Sequence, residues 1–135
     1  MPFLTLPIYY TQTFKTKPSK KFLVGLNWYR NVNPYLNNEV KNHYTDLIYS
    51  QLKKLPTKPE FKYRLNIKLY YYNPSCDGSN IFAMMEKFTL DALQKLNWVK
   101  QDNVKYHLGT TTKVVKQDKN NPRVEIELEE VKTYE

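Results

Sequence analysis

One cysteine, two histidines and three glycines are all that a chain of 135 residues holds of these types. Cys76 alone makes no internal disulfide, and His43 and His107 add too few ligands for a structural zinc site. A Gly-rich phosphate loop, a Gly-x-Ser-x-Gly elbow and a His-Glu-x-x-His pair are all missing, which sets aside the common nucleotide, acyl-transfer and zinc-hydrolase chemistries. Apolar runs stay far short of the ~18–20 residues that a membrane span needs. The opening Met1-Pro2-Phe3-Leu4-Thr5-Leu6-Pro7 has neither a basic stretch nor a small-residue cleavage site, so no signal peptide is expected. Arginine is scarce as well, three among 21 cations, which limits base reading by bidentate guanidinium forks and favours contacts to a phosphate backbone. The expectation is a single soluble, intracellular domain over residues 1–135, with no membrane partner and no nucleotide cofactor.

What the chain does have is positive charge and aromatic rings. Lys and Arg exceed Asp and Glu by 21 to 13, a formal +8, and 12 Tyr accompany 6 Phe and 2 Trp. So many aromatics argue against disorder. Residues 1–76 hold 12 cations and 3 acids, while residues 123–135 hold 2 cations and 5 acids. A basic body with an acidic last segment suits a polyanionic partner, nucleic acid being the commonest. The plainer reading is a Lys-, Asn- and Tyr-rich composition that serves solubility.

Hydrophobic periodicity gives the elements. Phe3 to Phe14 reads as a strand bent at Pro7, Thr16 to Lys21 as a basic loop, and Phe22 to Tyr35 as a strand fragment running into a loop. Val40, Tyr44, Leu47, Ile48, Leu52 and Leu55 follow Asn38 at helical spacing, predicting a helix from Glu39 to Leu55 with Asn38 as cap. Phe61 to Tyr72 alternates strictly and predicts a strand with one buried and one basic face. A second helix is expected from Asn80 to near Asn97, then strands over Val104–Val115 and Val124–Val131. The sum is an α+β fold: a mixed β-sheet with two main helices packed on it.

Chemistry, if present, lies with the acids. Of five aspartates, Asp77 stands between the central strand and the second helix, and Asp102 stands just after that helix. Hard oxygen ligands converging from separate elements are how Mg²⁺-dependent phosphodiester enzymes hold their metal. The alternatives are a capping role for Asp77 and a turn role for Asp102. Chain geometry limits the pair. A helix from Asn80 to Leu96 is ~25 Å long, and the five residues before Asp102 return at most ~17 Å. Asp102 is therefore expected to reach back only to about the level of Glu86 and Lys87: either the regular helix begins later than Asn80, or Asp102 converges on Glu86 and Lys87 with Asp77 further off. Cys76 lacks a neighbouring cation to stabilise a thiolate and reads as an inert loop residue.

Taken in order, Asp77-Gly78-Ser79-Asn80, Glu86-Lys87-Phe88-x-x-Asp91-Ala92-Leu93, Gln101-Asp102-Asn103 and Pro122-x-Val124-x-Ile126 form a string that resembles the RusA family of phage and prophage Holliday-junction resolvases. Gly25-Leu26-Asn27-x-Tyr29-Arg30 is similar to a segment such proteins carry before their first helix, and the resemblance spans roughly residues 23–129. It implies a RusA-like fold, a symmetric homodimer, and Mg²⁺-dependent nicking of four-way DNA junctions in recombination and repair, with Mn²⁺ able to substitute. A cytoplasmic site in the bacterial host cell follows from the same resemblance. It further implies that Asp77 and Asp102 are metal-binding and catalytic, and that Lys87 acts at the scissile phosphate.

Two positions depart from the family pattern. Ser79 stands where some members have a third metal aspartate, and Gln101 replaces the first acid of an Asp-Asp pair. Glu86, in a helical turn that shorter members lack, is the candidate for the missing carboxylate. Lys15, Lys17, Lys20, Lys21, Arg30, Asn80, Lys113 and Lys116 are the expected DNA contacts. Two further readings stay open. One is a catalytically degenerate module on the same fold; the other is a basic accessory protein that stacks single-stranded bases on Tyr9, Tyr10 and Tyr70–Tyr72.

Overall fold

The structure, a computed structural model, describes residues 3–52, 61–99 and 103–131. Six strands and three helices occur among them: β1 (Phe3–Pro7), β2 (Tyr9–Gln12), β3 (Lys20–Leu23), α1 (Leu26–Asn31), α2 (Pro34–Leu52), β4 (Lys62–Tyr71), α3 (Gly78–Lys95), β5 (His107–Gln117) and β6 (Arg123–Val131). Four strands form one mixed sheet in the order β1-β6-β4-β5. β6 runs antiparallel to both β1 and β4, while β5 lies parallel to β4 after the α3 crossover. β2 and β3 form a separate antiparallel ribbon. The chain is thus α+β, with α2 and α3 as its two main helices, in the class expected.

Alternation decides which sheet face is covered. Tyr63, Leu65, Ile67 and Leu69 of β4, Val124, Ile126 and Leu128 of β6, and Leu4 and Leu6 of β1 are buried in one core with Val40, Tyr44 and Ile48 of α2 and Ile81, Met84, Met85 and Phe88 of α3. The opposite face is bare and polar. Its register sets Glu129 beside Arg64, Glu127 beside Asn66 and Glu125 beside Lys68. Asn66 donates to Glu127 at 2.9 Å and to Glu129 at 3.1 Å. The acidic last strand therefore lies against the basic face of β4, and its charge is offset inside the fold.

Several local expectations are corrected. The opening strand is two: β1 pairs with β6 and β2 pairs with β3, the switch falling at buried Ile8. Lys20 and Lys21 belong to β3 rather than to a loop. The stretch after Leu23 is the short helix α1, not irregular chain. α2 starts at Pro34 because Asn33 caps it, its Oδ1 accepting from Leu36 N–H at 2.9 Å, with Pro34 in the first turn. Asn38 lies within that helix, and the expected end at Leu55 falls outside the described residues. α3 begins at Gly78 rather than Asn80 and closes at Leu96. Asn97 (φ 61°) takes the left-handed position there, and Trp98 N–H reaches Leu93 O at 2.9 Å. No helix among the described residues is long and apolar enough to cross a membrane.

Candidate functional site

Asp77 sits where β4 hands over to α3. Its Oδ1 accepts the Ser79 N–H at 3.1 Å, which makes it the N-cap of α3. The capping role weighed above is therefore met, and one carboxylate oxygen is occupied by it. Behind it, the helix starts against the sheet at Gly78, where a Cβ would make ordinary contacts, 3.6 Å from Val114 Cγ2 and 3.8 Å from Leu69 Cδ2.

Along α3 the candidate residues divide between two sides. Ser79, Phe82, Ala83 and Glu86 recur at helical spacing and face β5, where Thr110 and Thr112 complete a depression of about 260 Å³. Glu86 is half-buried there. Lys87 points elsewhere. Its Nζ lies 3.6 Å from Asp91 and 5.8 Å from the centre of the Tyr29 ring, and Asp91 is shared with Lys41 at 3.8 Å. Asn80 lies under the chain at Gly25, whose Cβ, if present, would be 3.8 Å from Asn80 Cβ. The helix thus brings Ser79 and Glu86 together and turns Lys87 with Asp91 toward α1 and α2.

Whether these residues fit a divalent ion is a question of reach. Asp77 and Glu86 are nine positions apart on a regular helix, about 13 Å along its axis at ~1.5 Å per residue. Mg²⁺ takes ligands at ~2.0–2.1 Å, so these two carboxylates do not meet on one ion. Among the described residues no group of three His, Cys, Asp or Glu side chains is placed to hold a metal. Asp102 and Gln101 lie outside the described residues. The described residues alone do not fit the ion, and no catalytic step is derived through it.

The expected DNA contacts also fall on two faces. Lys20 and Lys21 lie on the β2–β3 ribbon and Lys15 and Lys17 in its exposed turn; Lys17 caps the Phe14 ring at 4.8 Å and Lys21 the Tyr9 ring at 5.2 Å. Arg30 is exposed in the last turn of α1. Lys113 and Lys116 belong elsewhere, beside Lys68 and Tyr70 on the bare sheet face. Four of the five tyrosines proposed for stacking are engaged with neighbouring side chains. Tyr9 meets Tyr72 edge-on at 6.3 Å, Tyr10 meets Phe22 at 5.7 Å, and Arg123 covers Tyr70 at 3.9 Å. Cys76 is half-buried, and burial, then the adjacent Asp77 charge, raises its thiol pKa, as befits an inert thiol.

Thr110 and Thr112 were not singled out by the sequence, because a threonine in a strand is ordinary. Only the parallel register of β5 on β4, which pairs Thr110 with Leu65 and Thr112 with Ile67, puts them on the helix side. In comparisons with known proteins, no family model matches this chain and no curated protein matches it.

Proposed function

We propose that this protein is a metal-dependent, structure-selective endonuclease of the RusA type, nicking branched DNA as a symmetric homodimer. The observation that carries the reading is the arrangement on α3. Asp77 caps its start at the carboxyl end of β4, and Ser79 and Glu86 share one depression against the edge strand β5. A carboxylate at the end of a central strand, with a second further along the helix against an edge strand, is accessible to a bulky polymer. Charge supports the same reading: residues 1–38 hold five cations and no acid, and Lys15, Lys17, Lys20, Lys21 and Arg30 are all exposed. Paired nicks in a four-way junction require two sites related by symmetry, hence the dimer.

A second reading is favoured by the ~13 Å between Asp77 and Glu86: the same DNA-binding module without cleavage. One experiment separates them. A synthetic four-way junction is incubated with the protein in Mg²⁺ and in Mn²⁺, beside Asp77→Asn, Asp102→Asn and Glu86→Gln. Symmetric nicks lost in the aspartate variants, with junction binding kept, support the endonuclease. Tight binding without nicks in either metal supports the non-cleaving module. Equal affinity for junction and plain duplex rejects both.

A further inference from the structure

A second cavity, of about 480 Å³, lies between the β2–β3 ribbon, α1 and the start of α2. That is within the ~300–1,000 Å³ usual for small-ligand sites. One wall is aromatic, with Phe22 and Trp28 stacked at 5.4 Å and only 17° apart. Around it stand amides. Asn31 spends its Nδ2 on Asn27 O at 2.8 Å, so its Oδ1 is left to accept. Asn33 spends its Oδ1 on the α2 cap, so its Nδ2 is left to donate. Gln12 and Asn27 add two amides, and among the described residues Lys20 is the one charged group in the lining and no carboxylate lines it. The Trp28 Nε1–H is buried with no acceptor among the described residues.

A flat apolar wall, amides with both polarities free and a single cation are the recognition chemistry of a nucleotide. Rings stack on aromatic faces, and Asn or Gln reads base edges with paired hydrogen bonds. We propose that this cavity receives an unpaired nucleotide of a DNA strand. The proposal rests on the DNA-binding reading above and names what the ribbon side of the molecule recognises. A lone lysine suits a bridging phosphodiester with one negative charge better than a free monophosphate carrying nearly two. Lys15 and Lys17, in the exposed turn that leads into Lys20, are placed to meet flanking phosphates, while Lys21 alternates to the other face of the ribbon with Tyr9.

Tryptophan fluorescence tests this, since the only other tryptophan, Trp98, is 5% exposed in the core. The protein is titrated with a short single-stranded oligonucleotide, with the same strand in duplex, and with dAMP; Trp98→Phe and Trp28→Phe assign the signal. The expected result is quenching of Trp28 by the single strand. In Asn27→Leu/Asn31→Leu, at two exposed positions, single-strand affinity falls about tenfold, the scale of one bidentate amide–base pair, and duplex affinity is unchanged. Response to dAMP but not to the strand overturns the proposal and assigns the cavity to a free nucleotide. Strand binding with silent Trp28 and full affinity in the amide variant overturns the cavity and leaves the DNA-binding reading standing. Failure to bind any DNA overturns both.

Discussion

Asp77 carries two roles that a single substitution can separate. As N-cap it needs only an oxygen that accepts Ser79 N–H, and Asn supplies one as well as Asp does. As a metal or phosphate-facing group it needs the charge. Asp77→Asn is therefore expected to leave thermal stability nearly unchanged, while Asp77→Ala loses ~0.5–2 kcal/mol with the cap. Thermal melts of the two variants check this. Equal, large losses in both would mean that the carboxylate charge itself holds the α3 terminus. With the Asn variant intact, any loss of nicking belongs to chemistry and not to folding.

Tyr10 ties the ribbon to α2 by donating its hydroxyl to Glu39. Burial, then that hydrogen bond and the Glu39 charge, push its pKa from 10.0 up to about 12. A raised phenol pKa favours the protonated form in the folded state. Its contribution is complete below pH 10 and is lost as pH climbs from 10 toward 12. Tyr10→Phe should accordingly flatten the fall in stability across that window, read by denaturant midpoints at a series of alkaline pH values. An unaltered slope would mean that Tyr10 titrates alike in both states.

At the scale of elements, what the sequence made legible follows the strength of its periodicity. β4 and β6 alternate without a break, and α3 carries an unbroken stripe from Ile81 to Leu93, so their type and place were readable. α1 was not, since its six residues include none that is buried and Gly25 caps it without a side chain. The split of β1 from β2 depends on which strand each half pairs with, and that is tertiary information. The candidate site was legible in part for the same reason. Chain reach grouped Glu86 with Lys87, but the division that sets Glu86 beside Ser79 and sends Lys87 to Asp91 and Tyr29 depends on where β5, α1 and α2 pack.

Packing of those elements meets at Phe88. Its ring stacks on Tyr44 at 5.2 Å and touches Trp28 at 6.5 Å, so one side chain joins α3 to both α2 and α1. Phe88→Ala removes a buried ring from three elements and should cost ~3–5 kcal/mol, the range for large-to-small aromatic changes in a core. Urea unfolding measures it. A loss below about 1 kcal/mol would mean that the three helices close over the gap.

For the molecule as a whole, the charge of +8 is divided by geometry between two faces. On the bare sheet face Arg64 and Lys68 stand beside Glu129 and Glu125. Lys113 and Lys116 stand there beside Lys68 and Tyr70, with no acid at the paired β4 positions, and serve as the matched pair for that face. In residues 1–38 no acid occurs, and the Glu39 carboxylate that reaches the ribbon accepts from Tyr10. On the DNA-binding proposal Lys15, Lys17, Lys20, Lys21 and Arg30 meet the polyanion, and each lysine that meets a phosphate adds about 0.9 to the steepness of binding against salt. Lys15→Gln/Lys17→Gln should therefore lower the slope of log K against log salt by roughly 2. Lys113→Gln/Lys116→Gln, which removes the same formal charge from the other face, should change it by less than about 0.5. Fluorescence anisotropy of a labelled four-way junction over a salt series gives both slopes. Equal effects from the two pairs would mean that DNA wraps both faces, and the reverse ranking would move the interface to the bare sheet.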